Sequence, residues 1–307
     1  MRNGVLILLL FLAQIVAAQE FEDTSIFKYP IQMDNVVIKA SRSGWDVQGF
    51  IKRVQEDTTF YKAFKTMRIM AYNATNDIKV YNKKGRVAAS YYSKTRQHRT
   101  DDCRTMEVLD EKVKGNYYKN KKKKEHRYFT TELYEYLFFT EGKICGETDV
   151  LEKDDEEEKG GMIGRSVKQL KQLMFNPGSK VSGVPFMGDR AAIFEPDIAK
   201  MYNFKLLSEE YNGVECYLFK AIPKPEYKNK VVYNNLSTWF RKSDYSIVAR
   251  DYSLSFKTMV YDFDVTMKVR TRQVGDKLLP TYIDYNGNWH VFSKKRERVR
   301  FINTITY

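Results

Sequence analysis

The sequence contains no Gly-x-Ser-x-Gly nucleophile turn, no Walker-type phosphate loop and no His-Glu-x-x-His metal pair. Each of these motifs fixes a chemistry through spacing, so their absence removes the common hydrolase, nucleotide and zinc-protease readings. Histidine is scarce. His98, His126 and His290 lie far apart, with no recurring ligand spacing. His98 stands among Arg96, Gln97 and Arg99, and His126 follows a lysine run, so both read as surface residues; His290 follows Trp289 on a strand. Asp262, Asp264 and Asp284 are the carboxylates nearest to an acid–base pair, but on alternating strands they read more simply as a solvated face. The expectation is a protein that is not an enzyme, with no catalytic residues, no metal and no cofactor.

Cysteine is equally sparse. Cys103, Cys145 and Cys216 show no metal or redox spacing. An oxidising compartment closes one pair and leaves one thiol. Cys145 and Cys216, both in strand-like stretches, are the candidate pair; three buried small apolar side chains are the alternative. Long apolar runs are missing except at the start. Met1-Arg2-Asn3, the run Val5–Val16 and the small residues Val16-Ala17-Ala18 form a secretory leader with a cut before Gln19. Residues 1–18 are therefore expected to be removed. The rest, 19–307, is expected to form one domain outside the cytoplasm, periplasmic or peripheral to the outer membrane.

Aromatic residues are abundant, at 14% with 22 Tyr and 19 Phe, which suits half-buried sheets. Along Met259–Arg270, Tyr261, Phe263, Val265, Met267 and Val269 alternate with Asp262, Asp264, Thr266, Lys268 and Arg270. That strict period of two marks a strand with one dry and one wet face. Asn229–Arg241, Ser246–Lys257, Leu279–Phe292 and Glu297–Tyr307 repeat it more loosely, so the last quarter reads as one antiparallel meander. Further strands are expected at Asn35–Ala40, Met67–Tyr72, Asp77–Asn82, Arg86–Lys94, Met106–Lys112, Tyr128–Tyr136, Tyr136–Ile144, Phe204–Glu210 and Val214–Ile222. Gly85 and Gly213 supply two of the turns.

Helical spacing is limited to a few stretches. Val47, Phe50, Ile51 and Val54 place one apolar face on a helix over Asp46–Lys65, interrupted near Asp57-Thr58-Thr59. Ser166–Phe175 and Asp197–Tyr202 are shorter candidates. The fold class is thus α+β: a strongly curved antiparallel sheet, a half-barrel, wrapped around a few helices. Asp149–Gly161 reads as an acidic, mobile loop.

Net charge is +13, and +12 once a cleaved leader takes Arg2 with it. A basic exported protein favours anionic neighbours such as lipid headgroups over nucleic acid. Lys121, Lys122, Lys123 and Lys124 are the candidates for contact with an anionic surface; the alternative is a solvated hairpin tip.

The run Ser237–Val248, strand then charged turn then strand, with further strands leading to Gly275-Asp276-Lys277-Leu278-Leu279-Pro280, resembles the periplasmic outer-membrane lipoprotein carriers and their lipid-binding relatives. The helix at Asp46–Lys65 followed by three strands fits the same layout. The leader and the Tyr/Lys-rich hairpins are similar in style to exported proteins of Bacteroidetes-type bacteria. The resemblance is topological and implies an apolar cleft between sheet and helices, with lipid or an acylated lipoprotein as partner. Phe50, Val54, Tyr261, Phe263, Val265 and Met267 are the cleft candidates. The alternative is an envelope structural or interaction protein in which the same residues form a closed core.

Overall fold

The computed structural model describes residues 31–33, 47–151, 172–181, 187–259, 261–291 and 295–307. The leader, the strand expected at Asn35–Ala40, most of the acidic stretch and the first part of the helix expected at Ser166–Phe175 lie outside the described residues.

In chain order the elements are β1 (Ile31–Met33), α1 (Val47–Glu56), α2 (Thr59–Arg68), β2 (Tyr72–Tyr81), β3 (Val87–Thr100), β4 (Cys103–Gly115), β5 (Tyr118–Asn120), β6 (Glu125–His126), α3 (Phe129–Phe138) and β7 (Ile144–Cys145). After them come α4 (Pro196–Ala199), β8 (Tyr202–Tyr211), β9 (Val214–Pro223), β10 (Tyr233–Arg241), β11 (Ile247–Lys257), β12 (Tyr261–Val274), β13 (Lys277–Val291) and β14 (Glu297–Thr306). Among the described residues one twelve-stranded sheet runs β1-β8-β9-β10-β11-β12-β13-β14-β2-β3-β4-β7. Its pairs are antiparallel, and β1 and β7 are its free edges, so it curves without closing. β5 and β6 form a separate hairpin.

The period of two decides which face goes inside. In β2, Tyr72, Ala74, Asn76, Ile78 and Val80 are buried; in β12, Phe263, Val265, Met267 and Val269 are. The helices cover this concave face. α2 buries Phe60, Ala63, Phe64 and Met67 and lies over β13. Phe64 stacks on Phe175 at 3.9 Å between ring centroids. Gly287 in β13 has a packing reason to lack a side chain. The Tyr285 ring lies along the strand against it, with its hydroxyl 2.1 Å from where a Cβ would stand.

The strands expected over Tyr128–Ile144 are corrected. Phe129–Phe138 is the helix α3. Thr130, Thr131, Leu133, Tyr134, Leu137 and Phe138 are its buried residues, and the steps of three and one along 130, 133, 134, 137 and 138 are helical period. Aromatic and β-branched composition hid that stripe. Glu297 of β14 fixes the start of α3, accepting the backbone N–H groups of Phe129 and Thr130, each at 2.8 Å. Tyr134 donates to Asn76 Oδ1 at 2.7 Å, while Asn76 Nδ2 donates to Ser93 and Thr95. A polar stripe inside the sheet is thereby satisfied.

The cysteine pairing is also corrected. The disulfide joins Cys103 to Cys145, which are register partners on β4 and β7. Cys216 is free and buried on β9. Eight strands separate β9 from β7 in the sheet. At ~4.8 Å per strand that is about 40 Å along the sheet, beyond disulfide reach.

Asp57, in the break between α1 and α2, accepts the Thr59 backbone N–H at 3.2 Å and faces the buried Arg250 guanidinium at 3.6 Å. Arg250 also donates to Thr238 at 3.0 Å and lies 4.3 Å over the Phe60 ring. Asp57→Ala removes the counter-charge and is expected to lower unfolding free energy by about 3–5 kcal/mol, whereas Asp57→Ala combined with Arg250→Met recovers most of the loss. Urea titration of the three variants checks this. Alkylation of denatured, unreduced protein is expected to add one iodoacetamide adduct, at Cys216; intact mass and peptide mapping read it.

Candidate functional site: the filled concave face and its rim

Phe50, Val54, Phe263, Val265 and Met267 are all buried in one continuous core, and Tyr261 is half-buried against it. The face that sequence marked as a cleft is filled by the protein's own helices. The six candidates also fall into two groups. Phe50 meets the rings of Tyr217, Phe240 and Tyr245 at 5.4–5.9 Å, at the end of the sheet that carries the β10–β11 turn. Tyr261 and Phe263 sit at the opposite end, against Phe256 and Trp289. From Tyr261 to Met267 alone is about 20 Å of strand. Among the described side chains of α1, only Phe50 and Val54 are fully buried, and Ile51 packs half-buried against the same core.

Lys121–Lys124 form the turn between β5 and β6. Lys119 pairs with Glu125 at 2.8 Å and Lys124 with Glu111 at 2.9 Å. Lys121, Lys122 and Lys123 form no ion pair among the described residues. His126 is not a surface residue, as its neighbours suggested: its side chain is 10% exposed. Its Nδ1 meets Thr131 Oγ1 at 3.0 Å and its Nε2 meets the Glu135 carboxylate. The order hydroxyl, imidazole, carboxylate has the form of a nucleophilic triad. However, Thr131 is fully buried and its hydroxyl donates to the Tyr128 carbonyl at 2.8 Å. Both ring nitrogens are engaged, so the group braces the root of the hairpin against α3.

The acidic candidates are tied to the outer face. Asp262 meets His290 Nδ1 at 3.3 Å and Arg296 at 2.6 Å. Asp284 is held by two bonds from Arg300, at 3.0 and 2.8 Å, and Asp264 is exposed opposite Ser255.

A polar brace at the other end of the sheet escaped sequence reading. Arg104, 2% exposed, and Arg68 both grip Glu147, the latter at 2.7 Å. Gln97 donates to the carbonyls of Arg68 and Met70, at 3.0 and 2.8 Å. Nothing in the spacing of 68, 97, 104 and 147 announces this cluster; only the fold assembles it. At the opposite end, Met259 is 98% exposed, and Arg190 lies 5.7 Å over the nearby Phe256 ring. No described helix is long and apolar enough to cross a membrane.

No protein-family model matches the chain, and no curated protein does. Solved structures do. An outer membrane lipoprotein-sorting protein domain from Vibrio parahaemolyticus is 10% identical with a TM-score of 0.25, over 80% of this chain and 89% of that one. A DUF1329 family protein from Desulfovibrio piger is 11% identical with a TM-score of 0.22, over 81% and 92%. A LolA superfamily protein from Nitrosomonas europaea is 8% identical with a TM-score of 0.22, over 81% and 90%. Scores this low carry no argument, and the fold stands on its own strand pairing.

Burial works to raise the Glu147 pKa, but the hydrogen bonds and charges of Arg104 and Arg68 outweigh it and hold the carboxyl below its ordinary value. A lowered folded-state pKa contributes stability that is present above the ordinary carboxylate range and lost as pH falls through the folded value. Glu147→Gln is therefore expected to lower stability at pH 7 and to flatten the acid limb of the stability–pH curve, measured by urea unfolding between pH 3 and 7.

Proposed function

We propose that this chain is a non-enzymatic, exported lipid- or lipoprotein-binding protein whose ligand site opens where α1 now packs. One observation supports the reading: a curved, open sheet presents a continuous apolar face, and among the described residues α1 covers part of it through the buried side chains Phe50 and Val54. Burying one such side chain is worth ~1.5–3 kcal/mol. An acyl chain laid against Tyr217, Phe240 and Tyr245 replaces those contacts at comparable gain. Apolar burial drives such binding and a triad is not needed. Tyr261, Phe263, Val265 and Met267 then belong to the scaffold and to the far mouth. The leader and the basic surface favour the periplasm or the inner face of the outer membrane as the place of action.

The burial of five of the six candidates, with Tyr261 half-buried against them, favours a second reading, an envelope interaction protein with a permanently closed core. Native mass spectrometry of protein purified from its own envelope, followed by lipid extraction, separates the two. The carrier reading expects a stoichiometric lipid or acylated peptide, and expects Phe50→Ala with Val54→Ala to raise uptake of added phospholipid several-fold. A clean apo mass, with no uptake by either protein, sinks it.

A further inference from the structure

The two ends of the sheet differ in charge, and the difference follows from the topology. Strand registers place the β2–β3, β9–β10, β11–β12 and β13–β14 connections at one end, together with the β5–β6 hairpin that follows β4. Exposed at that end are Lys83, Lys84 and Arg86, then Lys121–Lys124, then Lys228 and Lys230, then Lys257, Lys295 and Arg296, against the exposed Glu125 and Glu226; Lys124 is paired with Glu111 and Arg296 with Asp262. The β2–β3 turn contains no acidic residue, and its lysines form no ion pair among the described residues. The opposite end carries Asp101 and Asp102, then Glu209, Glu210 and Glu215, then Asp244 and Asp276, among fewer cations. Strands of this length hold the two ends about 30–45 Å apart. The Debye length at physiological salt is ~8 Å, so each end presents its own field.

Two of the large apolar side chains that stand in solvent, Val87 and Met259, flank turns of the cationic end; Val108, Leu109 and Val113 lie along β4, Tyr136 on α3 and Val150 beyond β7. Met259, 98% exposed at the tip of the β11–β12 turn, stands beside Lys257 and next to the half-buried Phe256 and Tyr261. Val87 is exposed beside Lys83, Lys84 and Arg86. A soluble polyanion has no use for an apolar tip. A bilayer has a use for both features: anionic headgroups hold the lysines, and the acyl boundary takes the methionine.

We propose that this rim docks the protein on an anionic lipid bilayer, with the sheet's strands standing away from the membrane and the acidic end farthest from it. The inference goes beyond the carrier reading and does not need it, because docking and lipid uptake are read by separate measurements: a protein with a closed core docks equally well. Sedimentation with vesicles of phosphatidylcholine, with and without 30% phosphatidylglycerol, tests it on the full mature chain. The expected result is binding to the anionic vesicles only, weakening as NaCl rises. Reversing Lys83 and Lys84 to Glu is expected to lower affinity at least ~20-fold. The same number of reversals at the far end, Lys143→Glu with Lys277→Glu, is expected to change it less than about 3-fold, because those positions lie outside the screening distance. Met259→Asp, in an exposed turn, is expected to cost about 5-fold. Absence of binding at low salt, or equal losses from both ends, overturns the proposal. So does unchanged affinity of Met259→Asp together with equally tight, rim-dependent binding to heparin, which makes the rim a polyanion site.

Discussion

A sheet of this breadth with one apolar face has to cover that face, and most of the structure is organised by how it does so. Among the described residues the only second sheet is the small β5–β6 hairpin, which adds Tyr118 to the core. α2 and α3 bury their own stripes against the strands, the 172–175 turn adds Phe175, and α1 adds Phe50 and Val54. The hydrophobic effect is proportional to area and indifferent to which groups supply it. A helix that contributes two fully buried side chains is therefore the cheapest part of the cover to exchange. This sets α1 apart from α2, which is held by a run of buried residues and by the Asp57–Arg250 pair at its start.

The meander was readable because a period of two over fourteen residues in β12 leaves little alternative. The same holds for the Asn82–Gly85 turn, where Gly85 takes φ of 74°, and for the Asn212-Gly213 turn, where both residues lie at positive φ. What was misread is instructive. α3 carries its buried stripe in Thr, Leu, Tyr and Phe, residues that also suit strands, and no charged face interrupts it until Glu132 and Glu135. The wrong cysteine pair came from treating a strand-like context as proximity. Register, not local composition, brings Cys103 to Cys145.

The candidate site was readable only in part. The apolar alternation located the face, but whether a face is a cleft or a core depends on what fills it, and Phe50 does not declare in sequence that it will lie among Tyr217, Phe240 and Tyr245. The Lys121–Lys124 turn was visible as a charge run. Its membership in a rim with Lys83, Lys84 and Lys257 was not, because these residues are joined only by the antiparallel ladder. Arg104, Arg68 and Glu147 make the same point for the opposite end. Buried charge pairs are set by tertiary geometry and carry no local spacing.

β14 is the last strand of the chain and lies between β13 and β2, with Val299 opposite Val80 and Thr306 opposite Asn73. β2, β3 and β4 therefore have no link to the strands β8–β13 until β14 is in place. Closing a loop of more than two hundred residues is slow relative to local pairing. A chain in which β14 is not yet placed cannot complete this sheet, whatever its first strands have already formed. The strands on either side can form their own hairpins, and among the described residues β14 is the one strand that joins them into a single sheet.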